Sequence, residues 1–219
     1  ASVTSGCASR GGVRALATRR CRATRQSPTA KHGMKRAFDL VLALLALPFA
    51  ALLVLIFGVV VRFTSPGPAI FRQARVGRGE RPFTCLKLRT MRTDTRNAPS
   101  HEVGASGVTP IGSFLRRTKV DELPQLWNIL LGNMSFVGPR PCLPSQTALI
   151  AARRGYGLQA IRPGITGVAQ VAGVDMSDPE RLAALDATYL ADMSVSRDLR
   201  LILATLRGAG RGDRLDAGR

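Results

Sequence analysis

Asp121 and Glu122 are adjacent carboxylates that follow three bases, Arg116, Arg117 and Lys119, and open the apolar run from Leu123 to Leu131. Bases placed there would hold an anionic substrate beside two groups able to act on it. An ionised carboxylate attacks phosphorus once the phosphate charge is neutralised. Leu123, Leu126, Trp127, Leu130 and Leu131 recur at i, i+3, i+4, i+7 and i+8, which is one face of a helix. Pro124 fits only in a first turn, so the helix is expected to begin near Asp121. Both carboxylates are then expected at its positive end, ionised and exposed. Taken alone, that position favours a plain N-cap role for Asp121. A cap, however, needs neither a second acid nor the bases ahead of it.

Further anion-binding candidates lie on either side. The segment from Ala69 to Arg92 carries Arg72, Arg75, Arg78, Arg81, Lys87, Arg89 and Arg92, interrupted by Gly77 and Gly79. Glycine lets a backbone approach phosphate closely, and a guanidinium binds its oxygens in pairs. The same charges also suit a face lying on anionic lipid. Phe83 to Leu88 reads as a short strand. In Gly138-Pro139-Arg140-Pro141 two prolines fix the backbone around one guanidinium, a turn between elements being the alternative. Arg162-Pro163-Gly164-Ile165-Thr166-Gly167 repeats the theme, and Val168 to Val171 reads as a strand. The site residues expected from these stretches are Asp121 and Glu122 with Arg75, Lys87, Arg89, Arg116, Arg117, Arg140 and Arg162.

The elements that must carry these groups begin with a membrane segment. Leu40 to Val61 is 22 residues without a charge. A straight helix of that length reaches about 33 Å, enough for a hydrocarbon core of about 30 Å. Pro48 removes a backbone donor near its middle and is expected to kink or break it. Lys35 and Arg36 precede the segment, and Arg62, Arg72, Arg75 and Arg78 follow it. Positive charge marks the cytoplasmic side, so both flanks are drawn to one face. A helix-break-helix that enters and returns satisfies both; an ordinary kinked span satisfies one. Downstream, Pro179 to Leu190 has a helical pattern. Asp198 to Leu206 is amphipathic, either interfacial or packed on the core.

Composition narrows the partners. The 219 residues carry a net charge of +18, which calls for an anionic partner. Aromatics make up only 5%, too few for a base-stacking platform, so nucleic acid is not expected. Cys7, Cys21, Cys85 and Cys142 are scattered, which excludes a zinc ribbon or disulfide framework and fits a reducing compartment. Residues 1–33 hold six Arg and one Lys, no acid, and little that builds a core. They read as a disordered basic arm or a start-site artefact, since Met34 stands where translation could begin; a transit peptide also fits.

From about Lys35 to Gly208 the chain resembles the bacterial sugar transferases, the monotopic phosphoglycosyltransferases. The resemblance runs through Lys35-Arg36-Ala37-Phe38-Asp39, Ser65-Pro66-Gly67-Pro68, Lys87-Leu88-Arg89-Thr90-Met91 and Leu115-Arg116-Arg117-Thr118. It continues through Asp121-Glu122-Leu123-Pro124-Gln125-Leu126-Trp127-Asn128, Val137-Gly138-Pro139-Arg140-Pro141 and Arg162-Pro163-Gly164-Ile165-Thr166-Gly167. The resemblance implies transfer of a sugar 1-phosphate from a UDP-sugar to undecaprenyl phosphate, with release of UMP, at the start of glycoconjugate or exopolysaccharide assembly. It implies Asp121 as nucleophile, forming a phosphosugar-aspartyl intermediate, Glu122 as its acidic partner, Mg²⁺ held by Asp121 and Glu122, and Arg140 on the nucleotide. It also implies a re-entrant membrane helix broken at Pro48, although Leu47 stands where some members have Ser. The Gly173-Val174-Asp175-Met176 stretch and the short form of the chain point, on resemblance, to an N-acetylated amino sugar.

The expected architecture is therefore α/β, mostly helical with little strand. A re-entrant helix-break-helix (34–63) precedes a cytosolic catalytic domain with interfacial amphipathic helices (64–207), and 208–219 is a disordered tail. The expected location is the cytosolic face of a bacterial inner membrane, in contact with membrane lipids, and a homo-oligomer is an open alternative. Two other functions compete. A non-catalytic, membrane-anchored basic protein binding anionic lipid or nucleic acid explains the charge but not the acid pair. A phosphatase of polyprenyl or lipid phosphates would not depend on a nucleotide.

Overall fold

The computed structural model describes residues 28–93 and 107–210. The expectations for residues 1–27, for most of the Thr93–Thr109 stretch and for the end of the tail lie outside the described residues. The first element, α1, is one helix from Pro28 to Thr64, so it starts ahead of Met34. It is continuous through Pro48, which stands on its exposed side.

Two faces of α1 do different things. Asp39, Ala43, Ala50 and Val61 are buried, with Ala46, Val54 and Phe57 partly so. The spacing of three and four residues makes one stripe along the helix, and small alanines allow a close approach. The other face is apolar and bare: Leu45 is 68% exposed, Phe49 75% and Phe63 86%. An exposed apolar stripe of this length is what a lipid-facing helix presents. The protein is accordingly membrane-associated.

The chain leaves α1 into an antiparallel hairpin, β1 (Ile70–Val76) and β2 (Pro82–Leu88), in the register Gln73 opposite Cys85. A tight turn over Arg78–Glu80 joins the strands. Next comes α2 (Pro110–Thr118). Thr109 caps it by accepting from the Gly112 amide at 3.0 Å, and Pro110 occupies the first turn. Gly112 is required by proximity, since a Cβ there would lie 2.0 Å from the Thr90 carbonyl oxygen.

Helix α3 spans Gln125–Leu130 and is followed by β3 (Ser135–Val137). The remaining elements are α4 (Thr147–Gly155), β4 (Gly164–Thr166), the short α5 (Val168–Val171), α6 (Pro179–Ala191) and α7 (Val195–Leu206). The strand expected at Val168–Val171 is instead the one-turn helix α5; the strand lies just before it, as β4. A four-residue apolar run cannot distinguish the two. β3 and β4 pair in parallel, with Ser135 opposite Gly164. Gly138 and Gly164 permit this approach: a Cβ on Gly164 would meet the Gly138 amide nitrogen at 2.2 Å.

The core comes in patches. Ala43 and Ala50 of α1 pack with Cys85, Leu126, Ile129 and Met134, so α1 is a wall of the domain and not an appendage. Val61, Leu88 and Leu115 close the far end. Val137, Ala152, Leu158, Ile161, Ala183 and Tyr189 hold the later helices on the small parallel sheet. Helix α7 packs Leu201 and Ile202 inward, as a core-packed helix does, and leaves Leu199, Leu203 and Leu206 exposed.

Candidate active site

Helix α2 ends at Lys119, whose backbone is left-handed at φ 61°. A lysine there is strained, and strain of this kind concentrates at functional sites. The turn throws the chain into a single tight helical turn, Val120–Glu122, which carries the acid pair. Leu123 and Pro124 continue in right-handed helical geometry, and α3 proper begins at Gln125. The helix therefore starts after the acids. They are also not exposed: Asp121 and Glu122 are each 6% accessible. The expectation of two exposed groups at the first turn of the helix is corrected on both points, position and exposure. Burial, followed by the neighbouring Glu122, pushes the Asp121 carboxyl up to about 6, against the opposing pull of Lys87, Arg116 and Lys119.

The two acids differ in their partners. Glu122 Oε1 lies 3.2 Å from Lys87 Nζ and 3.4 Å from Arg140 Nη1. Asp121 Oδ1 is buried and has no hydrogen-bond partner. A buried, unpartnered carboxylate oxygen is costly unless something else is meant to bind it. The pair is thus divided into one acid that holds two cations and one that is left available.

Arg75, Lys87, Glu122, Gln125 and Arg140 line one small cavity together with Cys85, Pro141, Gly164 and Ile165. Arg75 donates to Gln73 Oε1 and, at 2.9 Å, to the Pro141 carbonyl, which steadies the Pro-Arg-Pro segment. Asn128 locks α3 to β2: its Oδ1 accepts from the Leu86 amide at 3.1 Å and its Nδ2 donates to the Thr84 carbonyl at 2.7 Å. Lys87 reaches Glu122 from the same strand. Arg116 donates to Thr90 Oγ1 at 2.9 Å and acts on Asp121 through its charge.

Three of the expected bases are elsewhere. Arg89 is buried under the exit of α1, donating to the carbonyls of Pro68 at 2.6 Å and Ser65 at 2.7 Å. Arg162 donates to the Gly132 carbonyl at 2.8 Å, past the end of α3, beside Arg36 and Arg78. Arg117 is exposed in the last turn of α2. A guanidinium satisfies a helix-end carbonyl as readily as a phosphate, so residue type could not separate these roles. Gln73, Gln125 and Asn128 were missed. For Gln125 and Asn128 the one signal is an uncharged amide inside an otherwise apolar run; Gln73, set between Arg72 and Arg75, carries none.

A buried carboxylate pair among converging bases, against a helix with a bare apolar face, defines a membrane-associated α/β protein whose site suits phosphate chemistry. Residues 30–211 match the bacterial sugar transferase family, and the chain belongs to that family. It is 41% identical over 182 residues to the UDP-glucose:undecaprenyl-phosphate glucose-1-phosphate transferase of Caulobacter vibrioides, covering 78% of this chain and 68% of that protein. It is 37% identical over 192 residues to the exopolysaccharide production protein PSS of Rhizobium leguminosarum bv. phaseoli, covering 79% and 93%. A second UDP-glucose:undecaprenyl-phosphate glucose-1-phosphate transferase, from Escherichia coli, is 36% identical over 189 residues; the chain spans 39% of its length.

Proposed function

We propose that the protein transfers a sugar 1-phosphate from a UDP-sugar to undecaprenyl phosphate, releasing UMP, with Asp121 as the nucleophile. The observation that carries this is the unequal acid pair. Glu122 is neutralised by Lys87 and Arg140, while the Asp121 oxygen is buried without a partner. In the first step Asp121 attacks the sugar-bearing phosphorus. The bond from that phosphorus to the bridging oxygen breaks, and UMP departs with the electron pair. In the second step an oxygen of the lipid phosphate attacks the same phosphorus and releases the Asp121 carboxylate. Lys87, Arg140 and Arg75 are placed to neutralise the phosphate oxygens. With a pKa near 6, Asp121 is mostly ionised at neutral pH and gains stabilisation when its charge is transferred to phosphorus.

Asp121 and Glu122 are hard oxygen donors that suit Mg²⁺, which takes one or two carboxylates and completes its shell from water and substrate phosphate. Among the described residues there is no group of three or more His, Cys, Asp or Glu that could hold a metal. When bound, the ion would add to the neutralisation of the diphosphate.

The reading places α1 in the membrane without crossing it. Its two ends are tied to one folded unit. Lys35 meets Asp198 at 2.8 Å, and Arg36 donates to the Ile129 carbonyl at 2.8 Å. At the far end Arg89 donates to Ser65 Oγ at 2.8 Å, just past the helix. A span of about 30 Å would tear one set of contacts away. A helix whose two ends stay on the cytosolic face of the inner membrane keeps both; because α1 is continuous through Pro48, it does so with its bare face in the lipid and without the break expected at that proline. For the sugar we retain an N-acetylated amino sugar, on resemblance. Glucose is the second reading, favoured by the name of the Caulobacter relative.

The test is a panel of UDP-sugars with purified protein, Mg²⁺ and undecaprenyl phosphate, assayed for UMP, with mass spectrometry for a phosphosugar adduct on Asp121. Absence of UMP release from every donor would refute the reading. Single-cysteine labelling at positions 35 and 62 should find both on the cytosolic side; opposite sides would restore a spanning helix.

A further inference from the structure

A second cationic cavity shares no lining residue with the catalytic one. It lies toward the N-terminal end of α1 and encloses about 310 Å³ up to its open mouth. Lys35, Arg36 and Asp39 of α1, Arg78 of the β1–β2 turn and Arg162, just ahead of β4, bring its charges together. Lys35 is answered by acids: its Nζ lies 2.8 Å from Asp198 Oδ2 and 3.9 Å from Asp39 Oδ1. The arginines are not. Arg36 donates from its two terminal nitrogens to the Ile129 and Leu130 carbonyls, at 2.8 and 3.2 Å. Arg162 donates from Nε to the Gly132 carbonyl at 2.8 Å. Among the described residues, the two terminal nitrogens of Arg162 and the whole guanidinium of Arg78 have no partner. Arg78 is exposed and Arg162 half-buried, and no nitrogen of either is buried without a partner, so both groups stay open to a ligand.

Like charges gathered in this way repel. Burial first, then Arg36 and Arg78, hold the Arg162 guanidinium below its ordinary pKa, with Asp39 pulling the other way. An arginine stays protonated all the same, so an anion, and not proton loss, relieves the repulsion. We propose that this cavity is a second anion site, which takes a phosphate group between Arg78 and Arg162, with the charge of Arg36 behind it. One guanidinium fork fills a planar carboxylate, whereas a phosphate has oxygens enough for two forks. Two sources supply such a group. The bare face of α1 begins at Met34, 53% exposed and next to Lys35 and Arg36, so the headgroup of an anionic phospholipid is one. Soluble phosphate is the other. In either case the anion joins the Arg78 turn to the Arg162 segment and stabilises the fold.

The test is thermal unfolding of the full chain in detergent with inorganic phosphate or acetate at one ionic strength. Phosphate is expected to raise the Tm of the wild-type protein and acetate to leave it unchanged. Arg78→Gln removes an exposed side chain that holds nothing else in place, and should raise the Kd for phosphate about tenfold, the loss of one charged hydrogen bond. Arg162→Lys, which keeps the charge but loses the fork, should weaken phosphate similarly. Lys87→Met, in the catalytic cavity, should keep the phosphate shift. A second arm replaces detergent with vesicles of phosphatidylcholine, alone or mixed with phosphatidylglycerol. A rise in Tm with phosphatidylglycerol that Arg78→Gln reduces assigns the site to lipid headgroups; a response to inorganic phosphate alone assigns it to soluble phosphate. Equal stabilisation by acetate, or no response to either phosphate source, overturns the site. A phosphate shift unchanged in Arg78→Gln overturns it too, and its loss in Lys87→Met would then place the anion in the catalytic cavity.

Discussion

Replacing the Asp121 carboxylate by an amide should make the protein more stable relative to wild type as pH rises. The folded state raises the Asp121 pKa from 3.8 to about 6, chiefly by burial and then by the charge of Glu122. A raised carboxyl favours the folded state fully below 3.8, and that contribution is lost as pH rises through about 6. One pKa unit corresponds to about 1.4 kcal/mol, so the loss comes to about 3 kcal/mol at neutral pH. Asp121 is only 6% exposed, so solvent screening does not reduce this much. Asp121→Asn lacks the titration. Between pH 4 and 7 the difference in stability between variant and wild type should therefore move by about 2.5 kcal/mol in the variant's favour, the rest lying below pH 4, which is roughly 5–10 °C in Tm for a chain of this size. The assay is thermal unfolding of both proteins in detergent with EDTA at a series of pH values. Following the difference cancels the raised Asp186 carboxyl and any constant effect of the amide. Turnover of the variant should be lost at every pH. A difference flat with pH would refute the reasoning. A difference of opposite sign would show Asp121 held ionised by Lys87, Arg116 and Lys119 as a simple paired cap.

Other outcomes follow from the same contacts. The kcat/KM of the wild-type enzyme should rise with pH through about 6 as free Asp121 ionises. Glu122→Gln should move that limb to lower pH, since the Glu122 charge raises Asp121, and lower kcat by about 10²–10³-fold through the loss of Lys87 and Arg140 placement; pH–rate profiles check both. Asn128→Ala should cost about 2–4 kcal/mol by leaving the Leu86 amide and Thr84 carbonyl unpaired, measurable by thermal unfolding. Arg89→Met should lower Tm while leaving the KM for the UDP-sugar unchanged, because its donors serve the exit of α1; a raised KM would return Arg89 to the substrate.

The sequence made the acid pair and its nearest cations legible because their types have few other uses in that order. Lys87 and Arg140 meet Glu122 although they lie far apart in the chain. What could not be read was depth. Pro124 marks a helix start correctly, but local rules do not say whether that start faces water, and here β2 and α1 cover it. Hence the macrodipole argument failed for Asp121, where burial outweighs it. Arg89 and Arg162 failed for a related reason: charge is visible in the sequence, whereas the carbonyls left open at the ends of α1 and α3 appear only after folding. The membrane segment was legible from hydropathy alone. Its second role, as a wall packed through Ala43 and Ala50, lay in small residues that look neutral in an apolar run.

That second role links the membrane to the site. Helix α3 is held at three places. Arg36 of α1 donates to the Ile129 and Leu130 carbonyls at its C-terminal end. Ala43 and Ala50 pack against Leu126 and Ile129 along its length. Asn128 fastens it to β2, the strand that carries Lys87. Asp121 and Glu122 sit in the turn immediately before it. The lipid-facing helix therefore fixes the helix that positions the acids. A loop-borne site tethered by a flexible linker would leave the distance between acid and membrane surface free. Here one helix carries both the bare apolar face and the buried face that holds the helix next to Asp121. This arrangement suits a reaction between a soluble nucleotide sugar and a phosphate held at the lipid surface.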